Sequence, residues 1–368
     1  MAPSNSMGGA PFPRRLQSGE ILNRKCGPPH IPMSWEDELN SFVNLKKVTL
    51  GGLVGVAVAL SAGAVQAQED FPTRPVSIVL PFGTGGVSDI AARLLSEKLE
   101  ETFGQRFLVE NVPGANGLTA TQQVLQAGND GYTLLNMGNS ATIRRTLAPN
   151  DQPSQIDDFE PVTPVAEFGL VVVTGPDSGY ETLEDLVAAA KENPNTINIG
   201  SVAAGSTQNL TALLFSSVAE IEASVIPYNS SPELMGAVAR GEVDIAFEIV
   251  AGAMSAIDNE QVRLLATTMA DGSRVFPGTP TVEDAGVTPF DVSSWNSYVA
   301  PNGVPAEIVA ELNAEIQRII QDPEVQEEML SFGLEPFIGG PEAVDERIEA
   351  DVAKWRAVIE DAGLPIQQ

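Results

Sequence analysis

The chain has 368 residues, 43% of them apolar, and carries 20 Lys and Arg against 49 Asp and Glu, a net charge of -29. Nucleic acid and anionic membrane surfaces are thereby excluded as partners, since gripping phosphates takes clustered Lys and Arg. The one cysteine, Cys26, and the one histidine, His30, both precede residue 31.

Residues 46–67 read KKVTLGGLVGVAVALSAGAVQA. Two lysines, an apolar run from Leu50 to Leu60 and the small-x-small end Val65-Gln66-Ala67 make a secretory signal peptide, with cleavage predicted after Ala67. The Pro-, Gly- and Ser-rich segment before it has no periodicity. We read 1–42 as a non-native extension from a misassigned start and 43–67 as the signal peptide, because a GTG codon at Val43 can initiate translation. Removing residues 1–67 takes out six basic and four acidic residues and leaves 14 against 45, a net of -31. Such a surface repels itself and calls for salt screening, so a saline habitat is expected. With no Cys or His after Ala67, disulfides, thiolate nucleophiles, Ser-His-Asp triads and His-ligated metal sites are excluded. No enzyme activity and no cofactor are expected. No cysteine follows the apolar run, so a freely soluble periplasmic protein is expected rather than a lipoprotein.

The exported chain alternates strands and helices. Val76–Leu80 is an apolar strand. Ile90, Ala91, Leu94, Leu95, Leu99 and Phe103 recur at helical spacing, and Gly104 stops that helix. A strand follows over 107–110, a helix to about Ala127, a turn at Asp130-Gly131 and a strand over 132–135. Further strands are predicted at 170–173, 197–199, 223–227, 243–247 and 264–268, and helices at 183–191, up to Val218 and at 232–240. Ile308 to Ile320 is an amphipathic helix, Asp322-Pro323 caps the next, and the last runs over 342–361. This alternation means βαβ units, parallel sheets and an α/β class.

Two small-residue loops join strand to helix: PFGTGGVSD over 81–89 and GSVAAGSTQN over 200–209. Gly83-Thr84-Gly85 begins a dinucleotide fingerprint, but Ser88 stands where its third glycine belongs, and export argues against a nicotinamide cofactor. A free carboxylate needs only the unpaired N–H groups and positive dipole end of a helix N-terminus. Gly83, Thr84, Gly85, Gly86 and Ser88 offer these, with Asp89 as a cap or brace. In the second loop Ser201, Ser206, Thr207 and Asn209 are the polar groups. Tyr228 either closes a pocket or lies on the surface. Glu248 either meets an amine or is solvated, and Trp295 is a pocket wall, a hinge anchor or core. Two such loops in two βαβ sets suggest two α/β lobes.

At this level of detail the chain resembles the periplasmic receptors of tripartite tricarboxylate transporters, the Bug-type receptors. The resemblance is carried by FPTRPVSIVLPFGTGGVSDIAAR (71–93), VENVPGANG (109–117), NDGYTLL (129–135), DDFEPVTPVA (157–166), NIGSVAAGS (198–206), IPYNSSPELMGAVARGEVDIAF (226–247), PGTPTVEDAG (277–286) and SWNSYVAPNGVP (294–305). It implies a two-lobed periplasmic binding protein of type II-like fold, each lobe a mostly parallel sheet flanked by helices, with the ligand cleft between them. Lobe 1 would comprise 68–169 and 290–368, and lobe 2 170–289. The resemblance further implies a monomer that captures a small organic acid and delivers it to membrane permease subunits; a ligand-sensing subunit for a membrane kinase is the alternative. It adds Asn139, Ser140, Ala204 and Gly205 to the ligand-binding positions and places Ser201, Ser206, Asn209 and Tyr228 among them. Asn209 and Asn229 stand where the family often has His and Lys, so the ligand would carry less negative charge than citrate, or bind more through water.

Overall fold

The computed structural model describes residues 71–150 and 152–366. The proposed extension, the signal peptide and its cleavage site lie outside these residues.

Strand β1 (Val76–Leu80) is buried except at Ser77, as an apolar run between two helical layers must be. The glycine loop leads into α1 (Val87–Phe103), which buries Ala91, Ala92, Leu94, Leu95 and Leu99 on one face. It ends where Gly104 turns left-handed and returns its N–H to Glu100 O at 3.0 Å. Next come β2 (Phe107–Asn111), α2 (Leu118–Ala127), β3 (Thr133–Gly138) and α3 (Asn139–Leu147). Strand β4 (Phe159–Thr174) is far longer than the four residues expected from its apolar core.

The chain continues through α4 (Leu183–Glu192), β5 (Ile197–Val202), α5 (Thr207–Val218), β6 (Ala223–Tyr228), α6 (Ser231–Ala239), β7 (Ile245–Ile249), α7 (Val250–Asp258) and β8 (Arg263–Thr267). It closes with β9 (Ser293–Pro301), α8 (Ala306–Ile320), α9 (Pro323–Ser331), β10 (Glu335–Pro336) and α10 (Pro341–Asp361). The expected cap of α9 is present: Asp322 accepts from the Glu324 N–H at 2.9 Å, with Pro323 at the first helical position.

The strand order is β2-β1-β3-β9-β4-β7-β5-β6, with β8 and β10 also paired to β4. The outer pairs are parallel, as expected from βαβ units. The centre is not: β9 runs antiparallel to β3 and β4, and β4 antiparallel to β7. Strand β4 therefore serves two sheet regions. Its first part, to Gly169, pairs with β9, and Leu170–Thr174 pairs with β7. Thr268 pins this crossing, its Oγ1 accepting from the Leu170 N–H at 2.9 Å and lying 2.6 Å from Val292 O.

Helices cover both faces of each region. In the first, α1, α8 and α9 cover one face; Val344 and Ile348 of α10 lie on the other with α2 and Trp295. In the second, α4 and α5 cover one face, and α6 and α7 the other. Helix α10 draws on both regions, because its later residues Trp355, Val358 and Ile359 belong to the core of α4 and α5.

Candidate functional site

The first glycine loop is built to leave N–H groups open. Gly83 to Gly86 are all exposed. Gly86 precedes α1 in an extended conformation and supplies no side-chain cap, so the helix N-terminus keeps donors for a ligand. Gly85 has φ +83°, which favours glycine. Its N–H donates to Asp89 Oδ2 at 2.9 Å, and Asn111 Nδ2 donates to Asp89 Oδ1 at 3.0 Å. Arg93 pairs with the same carboxylate at 2.9 Å. Burial pushes the Asp89 carboxyl up, but hydrogen bonds from Arg93, the Gly85 N–H and Asn111, with the charge of Arg93, outweigh it and hold the group below its ordinary value. Asp89 is thus the brace of the loop. Ser88 is buried and donates to Asn296 Oδ1 at 3.2 Å.

The second loop repeats this construction. Gly205 has φ +78°, and its N–H donates to Asn209 Oδ1 at 3.0 Å, four residues on, as Gly85 does to Asp89. Asn209 Nδ2 donates to Ser201 Oγ at 3.2 Å. Ser206 caps α5 by accepting from the Asn209 N–H at 3.1 Å. The Asn209 side chain is therefore taken up by its own loop and is buried. Ala204 is exposed, and Gly205 and Ser206 are half-buried. The structure includes no lysine or arginine in either loop.

Asn139, another expected ligand residue, is also fully engaged. It accepts from Trp355 Nε1 at 2.8 Å and donates to Thr207 Oγ1 at 2.9 Å, bridging α3 to the start of α5. Ser140 beside it is exposed. A Cβ on Gly205 would lie 3.6 Å from Leu147, so the second loop rests against α3. Tyr228 is joined to the second loop by its backbone: it lies opposite Val202 in the β5–β6 register, and its carbonyl accepts from the Ala203 N–H at 2.9 Å. It packs with Val202 and Ile226 toward α6 and α7, on the face of the sheet opposite the α5 core. Trp295 is core: it is fully buried and donates to Asp351 Oδ2 at 2.7 Å. Glu248 is not solvated but 1% exposed, and Gln208 Nε2 donates to its Oε1 at 2.9 Å.

Four supporting residues were not anticipated: Asn111, Arg93, Asn296 and Gln208. The spacing from a left-handed glycine to a side-chain acceptor four residues later, present in both loops, was the signal available for the braces. Asn296 is paired to Gly138 only through the β3–β9 register, which local pattern does not reveal. Among the described residues no group of acidic, Cys or His side chains could hold a metal ion, and no helix is long and apolar enough to cross a membrane.

Comparison with known proteins gives this geometry its context. Residues 91–364 match the model of the tripartite tricarboxylate transporter family receptor. A UPF0065 protein from the tcbD-tcbE intergenic region of Pseudomonas sp. (strain P51) is 32% identical over 320 residues, 86% of this chain and 95% of that protein. Among solved structures, R. palustris Rpa4515 with adipate is 29% identical at a TM-score of 0.68, covering 80% of this chain and 99% of that one. MatC from Rhodopseudomonas palustris with bound malate is 25% identical at a TM-score of 0.65, covering 78% of this chain and 100% of that one. The chain belongs to the tripartite tricarboxylate transporter receptor family of solute-binding proteins.

Proposed function

We propose that this chain is a periplasmic receptor that captures a small organic carboxylate between its two sheet regions, acting as lobes, and delivers it to a tripartite tricarboxylate-type membrane transporter. The observation that carries the reading is the matched pair of loops. Each opens a helix N-terminus, each is braced from a left-handed glycine to the fourth residue on, and neither includes a cation. Such a site holds a carboxylate by N–H groups and hydroxyls alone. The donors assigned to it are the backbone N–H groups of Gly83, Thr84, Gly86 and Ala204, with the hydroxyls of Thr84 and Ser140; Gly85, Ser88, Ser201, Gly205 and Ser206 shape the two loops through bonds of their own. Asn139 and Asn209 hold these groups in place. The adipate and malate bound to the related proteins belong to the same chemical class.

A thermal-shift panel of mono- and dicarboxylates, amino acids and aromatic acids on the chain from Gln68 tests the proposal. A true ligand at a hundred times its Kd adds about 2.7 kcal/mol to stability. Silence across every carboxylate overturns it.

A further inference from the structure

Glu248, next to last in β7, is 1% exposed, and among the described residues no Lys or Arg is paired with it. Its Oε1 accepts from Gln208 Nε2 at 2.9 Å, in the first turn of α5, and from the Ile249 N–H at 2.8 Å, at the start of α7. The Ser231 side chain, which opens α6, reaches the same carboxyl, and the two crowd Gly252, where a Cβ would stand 3.0 Å from Glu248 Oε1 and 3.1 Å from Ser231 Oγ. Three helix N-termini of the second sheet region thus meet at one carboxylate, whose Oε2 has no partner among the described residues. Gln208 is adjacent to Asn209, the brace of the second loop.

We propose that Glu248 is a positioning residue that ties the first turns of α5, α6 and α7 together, and that its proton controls how tightly the second loop holds a carboxylate. The affinity part rests on the carboxylate reading above. A negative charge at the start of α5 opposes the anion that the same helix end attracts, so gaining a proton there favours binding. Burial raises the carboxyl above its ordinary 4.5, against hydrogen bonds from Gln208, Ser231 and the Ile249 N–H that favour the charged form. A raised acid stabilises the fold fully below its unfolded value and loses that contribution as the pH rises through its folded value.

The test compares wild type with Glu248→Gln, which keeps the shape and an acceptor but cannot ionise, and with Glu248→Leu, which removes the tie. Ligand-free melting is followed from about pH 4.5 to about pH 8, and adipate and malate affinities by calorimetry over the same range. Glu248→Gln is expected to melt with wild type at the acid end and progressively above it as the pH rises. It should also bind whichever acid binds wild type several-fold more tightly near pH 8, with the two affinities converging at acid pH. Glu248→Leu should melt lower throughout. A melting gap between wild type and Glu248→Gln that stays constant with pH, or identical affinity profiles for the two, overturns the proposal. If neither acid binds either protein, the carboxylate reading fails for them, and the ligand-free melting pair still decides on Glu248 by the same criterion.

Discussion

Asp89 and Asn209 perform one task in two chemistries. Each holds a left-handed glycine from four residues away, but only Asp89 carries charge and an arginine partner. Replacing it should therefore show a pH signature. Asp89→Ala strips partners from Arg93, Asn111 and the Gly85 N–H, at a cost of about 2 kcal/mol in chemical denaturation at neutral pH. The advantage of wild type over Asp89→Asn should be full above the ordinary carboxylate value of 3.8 and vanish as the pH falls below it, because the folded group is depressed. The bracing role of Asp89 was legible from charge alone, since a carboxylate does not face an anionic ligand. That of Asn209 was not, because an amide suits a ligand and a loop equally well. Tyr298 offers the opposite test. Its hydroxyl is fully buried without a partner among the described residues, and burial raises its pKa. Tyr298→Phe should leave the melting temperature unchanged or raise it, since it removes a desolvated hydroxyl left unsatisfied among the described residues.

Loops and strands differed sharply in how well they could be anticipated. Adjacent glycines in the first loop should separate by conformation: Gly85 has φ +83° and Gly86 is extended, and neither has an atom within 4 Å of an added Cβ. Gly85→Ala should cost about 1 to 2 kcal/mol and weaken ligand binding, whereas Gly86→Ala should be near neutral in stability. Melting and calorimetry on the pair check this. Strands β1 and β7 and helices α1 and α8 were legible because apolar residues recur with their period. Strand β4 was seen only over 170–173, because Pro161 and Pro164 argue against a strand. The fold absorbs them at two register shifts, between Pro161 and Thr163 and between Pro164 and Ala166. Strand β9 was missed as an element because it is buried along its whole length yet rich in Ser and Asn. A hydrophobic pattern cannot flag polar residues that are satisfied, or buried, by tertiary neighbours.

For the molecule as a whole, net charge and the placing of α10 dominate. A surplus of acids from Gln68 onward should make the melting temperature rise with added potassium chloride toward about 1 M, where charges are screened within about 3 Å; a flat salt profile would contradict the saline reading. Trp355→Ala should cost about 3 to 5 kcal/mol, as it empties a fully buried site and removes the bond to Asn139. Processing at Ala67 would also remove Trp35, leaving Trp295 and Trp355 as the only indoles. Both are fixed to α10, Trp295 through Asp351 and Trp355 by lying on the helix itself. The intrinsic emission of the chain from Gln68 is therefore an unlabelled optical gauge of one helix. A change in colour or intensity when solute is added reports that α10 has been reseated; a ligand that raises the melting point with a silent spectrum has been captured without disturbing it.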